Sequence, residues 1–237
     1  MTASRPQGFF ITGTDTGVGK TLIACALLHA CAARGLRAAG MKPVASGARR
    51  VRGALCNEDV ESLTAASNVT ASRAHVNPYC FEPPIAPHIA ARLAGARIEL
   101  SAIERAYRSL AVAADIVVVE GVGGFRVPLN ERADTGDLAA RLELPVVLVV
   151  GMRLGCLNHA LLTANAIAAS GLELAGWVAN CIDPEMRRLD GNIAALAERL
   201  PAPLVATLPW EPSATPESNA HRFDLDALGF AKLGSKP

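Results

Sequence analysis

At 237 residues and 24.7 kDa the chain is long enough for one large domain, and folding at that mass hides about 70% of the unfolded surface. A formal net charge of +1 spreads no basic field of the kind nucleic-acid binding relies on. No run reaches the ~18 continuous apolar residues of a membrane span, and the polar start from Met1 to Gln7 lacks a signal-peptide pattern. Six cysteines show no Cys-x-x-Cys and no closely spaced histidines, so zinc and a disulfide framework are both disfavoured and a soluble, cytoplasmic protein is expected. Of 23 basic residues only four are lysines, at 20, 42, 232 and 236. In a chain that otherwise uses Arg, those few ammonium groups merit attention, because the two side chains do different chemistry.

In chain order, apolar runs of strand length fall at 9–11, 38–41, 116–119, 146–150, 174–178 and 204–206. Several are continuously apolar rather than alternating, as strands buried on both faces are. Helical patterns lie between them. The first, 21–34, closes at Gly35, and a helix from Glu58 to Ala66 follows the second strand. Ser101 and Glu104 have capping-box spacing ahead of 103–113. The pattern at 158–170 ends at Gly171, and 185–200 stops before Pro201. Residues 72–88 read as an irregular excursion and 212–219 as a loop. This alternation predicts a single α/β domain over 1–237, a doubly wound, mostly parallel sheet with helices on both faces.

Thr12-Gly13-Thr14-Asp15-Thr16-Gly17-Val18-Gly19-Lys20-Thr21 joins the first strand to the first helix. Glycines let successive N–H groups converge on anionic oxygens, and the helix start adds its partial positive charge, so this is a phosphate loop. Its glycine spacing is one residue longer than the usual pattern. Lys20 is placed to reach the β- and γ-phosphates and the Thr21 hydroxyl to ligate Mg²⁺. Glu120, at the end of the strand before Gly121-Val122-Gly123-Gly124, puts a carboxylate where α/β ligand sites form. Lys42 precedes Pro43, which keeps it extended at the end of the second strand, on the same rim. Asp59 reads equally as a second Mg²⁺ ligand or as a helix-dipole partner. Gly155-Cys156-Leu157-Asn158 opens a helix whose free N–H groups suit a carboxylate, or is a plain helix start. Asn180 either reads a base edge or simply ends a strand.

The phosphate loop, Met41 to Gly47, Val76-Asn77-Pro78-Tyr79, Ala86-Pro87-His88, Val119 to Gly124, Gly155 to Thr163, Gly176 to Asn180 and Leu208-Pro209-Trp210 together resemble the dethiobiotin synthetases, in order over nearly the full length. The lengthened loop is that family's form. The resemblance implies a P-loop NTPase fold and closure of a cyclic urea on 7,8-diaminononanoate with CO₂, ATP and Mg²⁺, through a carbamate and a carbamic-phosphoric anhydride. It implies Lys20 on the γ-phosphate, Lys42 on the carbamate and anhydride oxygens, and Thr21, Asp59 and Glu120 as Mg²⁺ ligands. Thr16, Gly17, Val18, Gly19, Leu22, Gly121, Val122, Gly123, Asn180, Cys181, Pro209, Trp210 and Glu211 would line the nucleotide, with Asn180 on the adenine. Thr16, Lys42 and Ser46 would meet the diamine. In a homodimer, Gly155, Cys156, Leu157 and Asn158 would receive the substrate carboxylate bound by the neighbouring subunit. The chain departs from the family pattern at Cys181, where a charged residue is common, at Val122, where Ala is expected, and after Trp210, where a ribose contact from Glu217 aligns loosely. A MinD-like partitioning switch of the same superfamily would carry a lysine where Thr14 and Asp15 stand.

Overall fold

Each of the six apolar runs becomes a strand of one parallel sheet. The structure, a computed structural model of the chain, describes residues 8–230; Met1 to Gln7, Lys232 and Lys236 lie outside them. The first half of the chain runs β1 (Gly8–Gly13), α1 (Lys20–Ala33), β2 (Ala38–Met41), β3 (Val44–Ala45), β4 (Arg49–Val51), β5 (Ala54–Cys56), α2 (Glu58–Ala66), α3 (Arg73–Val76), β6 (Tyr79–Cys80), α4 (Pro87–Leu93) and α5 (Leu100–Ala113). It continues with β7 (Ile116–Glu120), α6 (Thr135–Leu142), β8 (Val146–Gly151), α7 (Cys156–Ala169), β9 (Leu174–Asn180), α8 (Leu189–Ala197), β10 (Leu204–Leu208) and α9 (Pro216–Asn219).

The sheet order is β10-β9-β8-β1-β7-β2, every pair parallel. Winding runs outward from β1 to β2, back to β7, and then across β1 to β8. The reversal beside β1 opens a crevice at the carboxyl ends of β1 and β7, where ligands of such sheets bind. Side chains of successive residues leave the sheet on opposite faces, and both faces are covered, which explains the continuous apolar runs. Phe9, Ile11, Val118, Val147 and Val149 pack with α1 and with Phe223, Leu225 and Leu228. Phe10, Val117 and Val119 pack against Ile103 and Leu110 of α5 and Leu138 of α6. Leu148, Val150 and Trp177 meet Ala160 and Ala164 of α7 and Leu196 of α8. Each fully buried aliphatic or Phe side chain contributes roughly 1.5–3 kcal/mol.

Gly35 closes α1 in the left-handed region (φ 78°), with Gly35 N–H donating to Ala32 O at 2.9 Å and Leu36 N–H to Cys31 O at 3.2 Å. Three local expectations are corrected. Helix α5 begins at Leu100, so Ser101 lies inside it and no side chain caps it; Glu104 instead pairs with Arg141 at 2.7 Å and with Arg108. Helix α8 starts at Leu189 rather than near 185, because Asp183 Oδ1 accepts the Glu185 N–H at 3.0 Å and turns the chain, and Arg188 then enters the left-handed region (φ 57°). Within 212–219, Thr215 and Ser218 cap the short α9. The excursion at 72–88 carries α3 and β6, and β6 pairs with β3.

Candidate active site

The strand β1 ends at Gly13, and the loop that follows wraps back to start α1. Gly17 (φ 76°) and Gly19 (φ 89°) supply the left-handed turns this needs. Gly19 is also pressed against Asn180, since a Cβ there would overlap the Asn180 amide. No side chain caps α1 and its first turn is free of acidic residues, so its opening N–H groups face the cleft unopposed. That cleft, of about 780 Å³, is floored by Lys20, Thr21, Lys42, Asp59 and Glu120 and walled on the far side by Pro84, Ile85, Ala86 and Pro87.

Lys42 leaves β2 not into solvent but inward: it is 3% exposed, with Nζ 2.6 Å from Glu120 Oε1 and 2.8 Å from Asp59 Oδ2. Asn77 fixes the backbone there by donating from Nδ2 to Lys42 O at 2.7 Å. Asp59 sits on the first turn of α2, which Asn57 caps through Oδ1 to the N–H groups of Asp59 and Val60, while Asn57 Nδ2 donates to Ser46 O. The Thr21 hydroxyl lies 2.8 Å from Asp59 Oδ1 and 2.9 Å from Glu120 Oε1. Its single proton serves one of them at a time. Lys20 Nζ donates to the backbone carbonyl of Asp15 at 3.0 Å. Residues 20, 21, 42, 59 and 120, from four separate elements, thus converge, Asp59 among them although its position in sequence left its role open.

The electrostatics divide the two lysines. Burial lowers the Lys20 pKa to about 8, and the Lys42 charge adds to that, against the pull of Glu120, Asp59 and Asp15. At Lys42 burial also acts downward, yet the carboxylates of Glu120 and Asp59 outweigh it and the pKa is raised. Asp59 is held below the usual carboxylate range despite its burial, chiefly by Lys42. Glu120, 1% exposed, is pushed up by burial in spite of Lys42. Burial and pairing oppose each other at Glu120; an ammonium at 2.6 Å favours the ionised form, so we assign an ion pair.

Glu120 Oε2 is buried without a hydrogen-bond partner, as is Ser46 Oγ. An orphaned carboxylate oxygen beside Thr21 and Asp59 forms an all-oxygen donor set that fits a hard divalent cation such as Mg²⁺, which needs only one or two carboxylates when phosphates complete its shell. Among the described residues no three or more His, Cys, Asp or Glu side chains gather into a metal cage.

Asn180 ends β9 buried, its Nδ2 donating to Val18 O at 2.8 Å, so it props the phosphate loop. Cys181 behind it is buried in the α7–α8 layer, and Leu22 packs against the α1 layer. Trp210 is half exposed, while Glu211 lies 3.9 Å from Arg222. Glu217 pairs with His29 at 3.2 Å. Gly121 packs against the ring of Phe10, and Val122 and Gly123 line the cleft with Thr16 and Ser46. Gly155 (φ 95°) begins α7, again without a side-chain cap, beside the 96%-exposed Leu154 and with Cys156 buried and Asn158 exposed. Sequence reasoning missed one ion pair at the cleft mouth, Arg153 Nη2 to Asp15 Oδ2 at 2.6 Å, which joins residues 138 apart and leaves no local signal.

A family model described as AAA domain matches residues 7–218. The chain is 55% identical over 222 residues to an ATP-dependent dethiobiotin synthetase of Aromatoleum aromaticum, covering 94% of this chain and 99% of the relative. It is 52% identical to one of Nitrosospira multiformis, covering 95% and 98%. Among solved structures, the MinD cell division protein of Aquifex aeolicus superposes with a TM-score of 0.56 at 16% identity over 98% of this chain and 99% of that one, a likeness of fold. No helix of the described residues is long and apolar enough to cross a membrane.

Proposed function

The chain belongs to the ATP-dependent dethiobiotin synthetases, and from that premise we propose that it closes a cyclic urea on 7,8-diaminononanoate using CO₂ and ATP with Mg²⁺. The observation that carries this reading is the pairing of two lysines in one cleft, one beneath the phosphate loop and one buried between two carboxylates. An ATPase switch has no need of the second.

One amine adds to CO₂ to give a carbamate, losing a proton. A carbamate oxygen attacks the γ-phosphorus and ADP departs. The second amine then attacks the carbonyl carbon of the mixed anhydride, closing the ring, releasing phosphate and losing the last proton. Each intermediate is anionic, so positioning and electrostatic stabilisation do most of the catalysis. Lys20 exchanges the Asp15 carbonyl for the γ-phosphate. Lys42, anchored by Asp59 and Glu120, holds the carbamate and then the anhydride oxygens. A compact ammonium follows an oxygen as it moves, where a planar guanidinium would favour one fixed geometry. Thr21, Asp59 and Glu120 would hold Mg²⁺, which would neutralise charge developing on the phosphoryl oxygens. Thr16 and Ser46 orient the diamine, the orphaned Ser46 hydroxyl being free to bond to it. Asn180 meets the adenine through its carbonyl, with Pro209, Trp210 and Glu211 along the nucleotide. The chain works as a single catalytic domain in a homodimer, the substrate carboxylate resting on the uncapped start of α7 in the neighbouring subunit.

The test is ADP release by purified protein with and without the diamine and bicarbonate. Release that depends on both is expected; equal hydrolysis in their absence would overturn the reading.

A further inference from the structure

We propose that Arg153 is a positioning residue that sets the backbone of the phosphate loop through Asp15. The Asp15 carboxylate is clamped at both oxygens. Oδ2 meets Arg153 Nη2 at 2.6 Å, and Oδ1 accepts the Thr16 N–H at 2.7 Å. The same residue's backbone carbonyl takes Lys20 Nζ at 3.0 Å. One side chain thus fixes the peptide that orients Thr16 on one side and receives Lys20 on the other. Arg153 sits on a segment tied on both sides: Thr14 N–H of the loop donates to Val149 O at 3.0 Å, and Met152 N–H to the backbone carbonyl of Asn180 at the end of β9 at 2.8 Å. That segment is therefore a rigid mount for the guanidinium.

The pair cannot be there mainly for stability. The two side chains are 42% and 50% exposed, and exposed ion pairs contribute little to folding. Geometry is what it supplies. A neutral side chain at 153 frees the Asp15 carboxylate to rotate, and the Thr16 N–H loses its acceptor. In an active site a displacement of about 1 Å costs up to 10²-fold in rate.

The consequence for turnover rests on the urea-forming reaction proposed above; the consequence for Thr16 does not. Arg153→Gln and Arg153→Lys, each in the full-length protein, are compared by amide NMR and steady-state kinetics. We expect Arg153→Gln to move the Thr16 amide proton upfield in the ligand-free protein and to raise KM for the diamine ~10-fold with an unchanged melting temperature. Arg153→Lys, which keeps a cation within reach, should restore both. Asp15→Asn combined with Arg153→Gln should cost no more than either alone, since the two act as one unit. An unmoved Thr16 resonance in Arg153→Gln, or Arg153→Lys as impaired as Arg153→Gln, overturns the proposal. If the wild-type protein shows no diamine-dependent turnover, the proposed reaction falls and the Thr16 resonance still decides the role of Arg153.

Discussion

Two helices of this molecule begin alike and end up with different surroundings. Both α1 and α7 follow a central strand, start at a left-handed glycine (Gly19, φ 89°; Gly155, φ 95°) and lack any side-chain cap or acidic first turn. Each therefore presents bare N–H groups and a positive dipole end. The start of α1 faces its own chain's cleft, with two lysines, two carboxylates and a hydroxyl gathered below it. The start of α7 faces outward, beside the exposed Leu154 and with Leu162 largely exposed further along the helix. The first arrangement is a site within one chain. The second would be half a site in the proposed homodimer, and the exposed Leu154 and Leu162 near it suit burial against another copy.

This comparison can be broken most severely at Lys42. Lys42→Arg keeps the charge but replaces a point cation with a fork, and we expect kcat to fall 10²–10³-fold, the range found when one transition-state donor is misplaced. Turnover within a factor of two of wild type would end the point-charge argument. The two glycines come next. Gly19→Ala should abolish binding of an ATP analogue in calorimetry, because the new methyl collides with Asn180 as well as occupying a positive φ. Gly155→Ala meets nothing closer than His159 Cε1 at 3.9 Å, so it should cost only the backbone strain of about 1–2 kcal/mol, read as a small drop in unfolding free energy. Equal effects of the two changes on ATP-analogue binding would erase the distinction. Leu154→Asp should shift sedimentation toward monomer and lower diamine turnover while leaving the ATP analogue bound. A dimer that survives the added charge would contradict the half-site reading. The smallest effect is expected at Asn57→Ala, which removes the cap of α2 and should lower stability by about 1 kcal/mol. Because Asp59 rides on that first turn, KM for Mg²⁺ should rise with it.

What was legible in the sequence followed from local chemistry. Strands with apolar residues on both faces declared a covered parallel sheet, and Gly-Lys-Thr after the first of them declared the phosphate loop. Lys42 and Glu120 could be placed on one rim because both end strands. That they would bond to each other, with Lys42 almost fully enclosed, could not be read, since the carboxylates flanking its ammonium come from α2 and β7, elements distant from it in sequence. The false capping box at Ser101 failed for the same reason: Glu104 found Arg141, 37 residues away, a better partner than a helix N–H. The β4–β5 hairpin, with three arginines and strands of only three residues each, gave no strand signal at all. Arg153 and Asp15 are each unremarkable in their own neighbourhoods.

The amide of Asn180 carries a consequence for anyone redesigning this enzyme. Its nitrogen holds Val18 of the phosphate loop, and its bulk is why residue 19 must be glycine. The residue proposed above to meet the base is therefore also a strut of the phosphate grip. Altering nucleotide preference at this point would loosen the hold on the triphosphate in the same stroke, so selectivity and affinity are not independent dials, and any variant library at 180 should be screened jointly with 18 and 19.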